Sequence, residues 1–163
     1  MTEKEFRYVD AKPHMFEISI VVRDLEKAVE KFKTLFGWEP YVTGDFSGER
    51  ATEGDFFLRG ERVPAPEVKV ACFRTETIRI ELLQPIAEKT LYMEFLREKG
   101  PGVQHVGFRV SDIEKELAEI QKRGSKVTQR MTTEGISYAY IDTEDLIGTA
   151  FEVVQSPGGI PLG

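Results

Sequence analysis

Apolar and polar residues alternate along this chain with two different periods, and the switches between them mark its elements. EISIVV (17–22) has a period of two: Ile18, Ile20 and Val22 share one face, Glu17 and Ser19 the other, so it reads as a strand rich in β-branched residues. Asp24 stands where an N-cap belongs, Leu25, Ala28, Val29, Phe32, Leu35 and Phe36 recur at helical spacing, and Gly37 is a natural stop. WEPYVT (38–43) reads as a strand, and the Gly- and charge-rich stretch from 44 to 66 as loop or hairpin. EVKVACF (67–73) and TIRIELLQP (77–85), separated by the short turn RTE, read as a hairpin. Thr90 opens a helix over LYMEFLREKG that Gly100, Pro101 and Gly102 end.

After those breakers the first pattern starts again. HVGFRV is a strand, Asp112 a cap, Ile113, Leu117 and Ile120 a helical spine, and Gly124 its stop. SKVTQRM, GISYAYID and GTAFEVVQ supply three more strands, with turns at TTEG and TEDLIG. Each half is therefore a strand, a helix and about three strands. Glu17 and His105 lie 88 positions apart, and that shift superimposes Val22, Asp24, Glu26 and Lys27 on identical Val110, Asp112, Glu114 and Lys115. Strand register and helix stripe agree across the shift, which makes the match an internal repeat. RIELLQP matches AFEVVQSP at a shift of 71, Glu81 on Glu152, so the first half carries 17 extra residues, which the 44–66 stretch accommodates.

At 163 residues and 40% hydrophobic side chains, the chain suits one ordinary domain or two small halves sharing a core. We expect a single domain over 1–163, with modules at about 14–86 and 103–157 and a linking helix at about 90–99. A net charge of −6 gives no basic field to hold a phosphate backbone, which argues against nucleic acid as a partner. The first residues, MTEKEFRYVDAKPH, are charged from the third position without an apolar stretch, and nowhere do 18 apolar residues run together. A soluble, cytoplasmic protein without a membrane partner is expected. The single cysteine, Cys72, cannot form an internal disulfide and reads as a buried strand residue.

The period of two also sorts the polar residues. Glu17, Glu81, His105 and Glu152 have mostly apolar neighbours: Phe16 and Ile18, Ile80 and Leu82, Gln104 and Val106, Phe151 and Val153. Those neighbours are expected to face the helices, leaving the four polar residues on the other side with Ser19, Arg79, Gly107 and Arg109. A flat face would make them ordinary solvated groups, whereas a curved one would bring them together.

This arrangement resembles the vicinal oxygen chelate superfamily, in which two βαβββ modules form a curved mixed α+β sheet around a divalent metal. The resemblance runs from about 14 to 157 and puts that family's four ligand positions on Glu17, Glu81, His105 and Glu152. FLREKGPGVQHVGFRVSDIEKELAEIQKRG and IRIELLQP are most similar to the methylmalonyl-CoA epimerases, with glyoxalase I next. Departures from the epimerase pattern are Glu17 and Gln104, each standing where a histidine is usual, and Ala65, where an acid is usual, with Glu67 two residues away. The resemblance implies a metal-dependent isomerase taking a proton from beside a thioester carbonyl, lactoylglutathione lyase and a metal-free binding protein of the bleomycin-resistance kind being the alternatives. It also implies a small-molecule substrate, CoA thioesters included, and a homodimer.

Three carboxylates and one imidazole suit Mn, Co, Ni, Mg or Zn. The alternative is that Glu17 points away and three residues bind. Glu152 and Glu81, related by the repeat, are the candidate proton carriers, and the resemblance favours Glu152 as the principal base. Arg79, Arg109 and Ser19 are candidate substrate contacts, the arginines serving equally to neutralise the glutamates. His14 reads as a loop residue outside the register, and Trp38, Phe56 and Phe57 as packing, Phe57 being the nearest to a ligand contact. An extradiol iron site, which takes two histidines, is disfavoured by Glu17 in the first ligand position.

Overall fold

The computed structural model describes residues 14–46, 55–132 and 135–156. The first module contributes β1 (His14–Val21), α1 (Leu25–Phe36), β2 (Val42–Phe46), the hairpin β3 (Asp55–Leu58) and β4 (Glu61–Arg62), β5 (Val68–Arg74) and β6 (Arg79–Pro85). Then come α2 (Leu91–Glu98), β7 (Gly102–Arg109), α3 (Ile113–Lys122), β8 (Val127–Thr132), β9 (Ser137–Ile141), α4 (Glu144–Ile147) and β10 (Ala150–Gln155).

All ten strands join one mixed sheet in the order β2-β5-β6-β1-β7-β10-β9-β8-β3-β4. Chain length alone requires this sheet to curve. Laid flat, β2 and β3 would stand eight strand spacings apart, ~38 Å, but only nine Cα steps separate Phe46 from Asp55, and these reach ~31 Å fully extended. The sheet is therefore a cup, with β1 and β7 antiparallel at its centre.

The repeat is reproduced bond for bond. Asp24 (φ −146°, ψ 103°) caps α1 by accepting from the Lys27 amide, and Asp112 (φ −145°, ψ 100°) caps α3 by accepting from that of Lys115. The next orphan amide in each helix, Leu25 or Ile113, donates at 2.8 Å to the side-chain oxygen of Gln84 or Gln155, at matching ends of β6 and β10. Both modules thus fasten their helix to their last strand in the same way. On the convex face α1 covers Ala71, Phe73 and Leu82, and α3 covers Ala139, Ile141 and Val153. α2, capped by Thr90, packs Leu91, Tyr92, Phe95 and Leu96 against Val21, Val70, Leu83 and Tyr140. No helix among the described residues is long and apolar enough to cross a membrane.

Several expectations change. The strand foreseen at 38–43 begins at Val42, because Pro40 has no N–H for the ladder, whose first bond runs from the Tyr41 amide to Cys72. The 44–66 stretch contains a hairpin, as one of its two readings had it, turning through Arg59 (φ 50°) and Gly60 (φ 84°), but its strand β3 pairs with the edge strand of the other module, β8, which was not foreseen. Residues 47–54 of that stretch lie outside the described residues, as do 133 and 134 of the TTEG turn. TEDLIG contains one helical turn, α4. Leu35 and Phe36 run past the sheet and stay exposed, Phe36 resting on the rings of Phe32 and Trp38.

Candidate metal centre

Glu81, Glu17, His105 and Glu152 come from four neighbouring strands at the middle of the cup: β6, β1, β7 and β10. Carboxylate oxygens surround His105 Nε2, with Glu17 Oε1 at 3.5 Å, Glu152 Oε2 at 3.8 Å and Glu81 Oε2 at 4.0 Å. Ligand atoms of Glu17, His105 and Glu152 all lie within 4.8 Å of one another. Glu17 is 2% exposed, His105 1% and Glu152 5%. Water therefore does little to offset the repulsion among the carboxylates.

Two matching β-bulges shape the centre. The β1–β7 register slips between Met15 and Glu17, so Phe16 and Glu17 together oppose Gly107, and between Ser19 and Ile20, so Gln104 and His105 together oppose Ser19. Phe16 corresponds to Gln104 and Glu17 to His105 in the repeat, so each module has its bulge one residue before its polar position. A bulge re-aims the extra side chain, which corrects the expectation that Phe16 and Gln104 face the helices. Phe16 lies beside Gly107, where an added Cβ would stand 3.0 Å from the Phe16 ring. Gln104 Oε1 lies 2.7 Å from His105 Nδ1 and accepts its hydrogen. With its Nδ1 hydrogen held there, His105 has Nε2 facing the carboxylates, where it donates while it is protonated and would offer a lone pair to a metal once that proton is lost.

Charge in the cluster is unevenly balanced. Arg79 binds Glu17 through both Nε and a terminal nitrogen, so of its two expected roles the structure shows the neutralising one. Burial opposes ionisation of Glu17, yet the hydrogen bond from His105 and the Arg79 charge hold it below the ordinary carboxylate range. Burial, reinforced by the Glu17 charge, raises Glu81. Burial pushes Glu152 up to about 8, the charges of Glu17 and Glu81 adding to it against the attraction of His105. For His105, burial is outweighed by Glu152, Glu17 and Glu81, and its pKa is raised. With all three carboxylates ionised and Arg79 charged the cluster carries −2, which a divalent ion brings to zero.

Pseudo-symmetry fails at one informative place. Ser19 and Gly107 are equivalent in the repeat, and each sits opposite a glutamate, Glu81 or Glu152. Ser19 Oγ donates to Glu81 Oε2 at 2.8 Å. Gly107 has no hydroxyl, and Glu152 Oε2 is buried without a hydrogen-bond partner. An unpaired buried carboxylate oxygen costs free energy, and a cation in the cluster would relieve it. The donor set, the orphaned oxygen and the charge sum fit a divalent ion held by Glu17, His105 and Glu152.

The family model described as the Glyoxalase/Bleomycin resistance protein/Dioxygenase superfamily matches residues 16–140. The chain belongs to this superfamily. Like the solved structures it resembles, this superfamily member has an α+β fold with a curved, unclosed sheet. One of these, a methylmalonyl-CoA epimerase in complex with methylmalonyl-CoA and NH4+, gives a TM-score of 0.66 at 22% identity over 89% of this chain and 95% of that one. The methylmalonyl-CoA epimerase from Mycobacterium tuberculosis gives 0.65 at 18% identity, covering 92% and 93%. A protein described as uncharacterized, YqjC of Bacillus subtilis (strain 168), is 25% identical over 105 residues, 63% of this chain and 75% of its own.

The other sequence candidates scatter. Arg109 stands at the rim of this superfamily member's cluster, its guanidinium carbon 4.9 Å from the centre of the Phe16 ring. His14 is the exposed first residue of β1, not a loop residue, and pairs with Arg109 in the ladder. Glu67 is exposed just ahead of β5. Phe56 is buried, Trp38 rests on Phe32 and Phe36, and Phe57 lines a groove beside α3. Gln104 was noted from sequence only as a departure from the epimerase pattern, without its hydrogen bond to His105, and a group of tyrosines beside His105 was not singled out at all. Gln104 adjoins a predicted ligand, but the tyrosines needed the strand pairing to be found.

Proposed function

We propose that this protein is a metal-dependent isomerase that removes a proton from the carbon beside a thioester carbonyl, with Glu152 as the principal base. One observation carries the choice of base: Glu152 Oε2 is buried and unpartnered, while the equivalent oxygen of Glu81 is held by Ser19. A group that must take a proton needs a free lone pair, and Glu152 Oε2 has one; without metal, burial first pushes its pKa up to about 8, and a divalent cation beside it would favour the ionised, proton-accepting form. Glu17, His105 and Glu152, with Glu81 as the expected fourth ligand, would hold the divalent ion, which when bound would supply a Lewis acid for the carbonyl oxygen. Gln104 fixes the His105 tautomer, and Arg79 holds Glu17 ionised. Glu81 and Glu152 stand on opposite sides of the symmetry axis, so a proton leaving one face of the substrate can be replaced on the other, as epimerisation requires. The likeness to an epimerase solved with methylmalonyl-CoA supports a CoA thioester as the substrate. Arg109 and Arg79 are the candidate contacts for a substrate carboxylate, and the protein acts as a cytoplasmic homodimer.

The test is incorporation of deuterium at the α-carbon of methylmalonyl-CoA in heavy water. Metal-loaded protein is expected to exchange that proton and a chelated control is not. Equal rates in the two samples would refute the proposal. Lactoylglutathione formed from methylglyoxal and glutathione would identify the lyase instead, and tight chelator-resistant binding without exchange a binding protein.

A further inference from the structure

The wall of the cup beside Glu152 carries a second polar group. Tyr140 faces Glu152 across the β9–β10 ladder and Gln129 faces Tyr140 across β8–β9, while Tyr92 reaches in from α2. All are buried, Gln129 to 1% exposure. Gln129 Nε2 donates to the Tyr92 hydroxyl at 3.2 Å, the Tyr92 and Tyr140 hydroxyls are 2.7 Å apart, and Tyr140 Oη lies 3.5 Å from His105 Nε2. We propose that Gln129, Tyr92 and Tyr140 form a one-way chain of hydrogen-bond donors, whose last member, the Tyr140 hydroxyl, donates to the substrate oxygen on which negative charge gathers. This inference rests on the proton-abstraction reading above.

Direction comes from the first link. An amide nitrogen only donates, so Tyr92 Oη accepts from Gln129, and its own hydrogen turns to the short contact with Tyr140. Tyr140 in turn has its hydrogen for the space around His105 Nε2, the same space that the oxygens of Glu17, Glu81 and Glu152 surround at 3.5 to 4.0 Å. Successive donors polarise one another, which strengthens the last. Position argues for purpose as well. By strand pairing the counterparts of Tyr140, Tyr138 and Gln129 in the first module are Cys72, Val70 and Val42, none of which can match a phenol or an amide as a donor. The donor wall therefore stands only on the side of the unpartnered glutamate. As Glu152 takes the α-proton, the C–H electron pair moves toward the carbonyl and its oxygen gains charge. Tyr140 keeps its proton and stabilises that oxygen from a preorganised position. Tyr140 is then a catalytic residue, and Tyr92 and Gln129 are positioning residues.

The test compares binding of ethyl nitronate, a planar anion with its charge on oxygen, and of neutral nitroethane to manganese-loaded wild type, Tyr140→Phe and Tyr92→Phe. Tyr140→Phe is expected to weaken the nitronate by about 10- to 100-fold, with nitroethane binding and metal content unchanged. Tyr92→Phe, which keeps the terminal hydroxyl but not its orientation, is expected to weaken it by a smaller factor. The inference is overturned by equal nitronate affinity in wild type and Tyr140→Phe, by equal loss of both ligands, or by loss of metal. If Tyr140→Phe does not fold, an unchanged nitronate preference in Tyr92→Phe overturns it. Selective loss of nitronate by a protein that exchanges no thioester proton would leave the donor chain standing and remove the thioester reading alone.

Discussion

Replacing Glu152 with glutamine is expected to stabilise the metal-free protein at pH 8 while weakening its gain from metal. The wild-type carboxyl is pushed up to about 8 by burial, from an ordinary value of 4.5. Below pH 4.5 folded and unfolded chains both hold the proton. As the pH rises from 4.5 to about 8 the unfolded chain releases it and the folded chain keeps it, so metal-free stability falls across that window. A displacement of this size corresponds to ~5 kcal/mol. The amide introduced by Glu152→Gln does not titrate, so the variant escapes this loss, while Glu81 and His105, both raised, keep part of the slope. Urea unfolding in chelator at pH 5, 6, 7 and 8 measures the effect, and the gap between the two proteins is expected to widen with pH in favour of the variant. Adding a divalent ion at pH 8 is expected to favour the wild type instead. Parallel stability curves from pH 5 to 8 would refute the electrostatic reasoning.

Gly107→Ala places a methyl 3.0 Å from both Glu152 Oε2 and the Phe16 ring and 3.1 Å from Glu17 Cβ. It is expected to cost about 1–3 kcal/mol in urea unfolding and to lower metal affinity, whereas the same change at the open, negative-φ Gly44 is expected to leave metal binding unchanged. Gln104→Leu removes the acceptor for His105 Nδ1 and is expected to weaken metal binding by about 10- to 100-fold in competition with a chelator. Asp24→Ala and Asp112→Ala remove caps of matching geometry and are expected to cost the same, about 1 kcal/mol each by thermal unfolding.

The two-module scaffold was legible because each strand and helix carries its own period and cap, so Asp24, Asp112, Thr90 and Gly37 act as foreseen. Local pattern is silent about the bulges. An extra residue such as Phe16 or Gln104 leaves a strand looking extended, and only the partner strand reveals the slip. Local pattern was likewise silent about curvature, which only the family resemblance implied and which follows here from β3 pairing with β8 across the sheet. Tyr138 and Tyr140 read as ordinary members of an alternating strand, and their neighbours Gln129 and Tyr92 are distant in sequence. The difference between the surroundings of Glu81 and Glu152 was in plain view as Ser19 against Gly107, but it acquires meaning only when each faces its glutamate across the ladder.

Deuterium exchange at the α-carbon of methylmalonyl-CoA, measured for metal-saturated wild type, Glu152→Gln and Glu81→Gln side by side, tests the central claim most directly. Metal-dependent exchange is predicted in the wild type, a loss of at least about 100-fold in Glu152→Gln with its metal retained, and a smaller loss in Glu81→Gln. Exchange by metal-saturated Glu152→Gln at the wild-type rate would contradict the account.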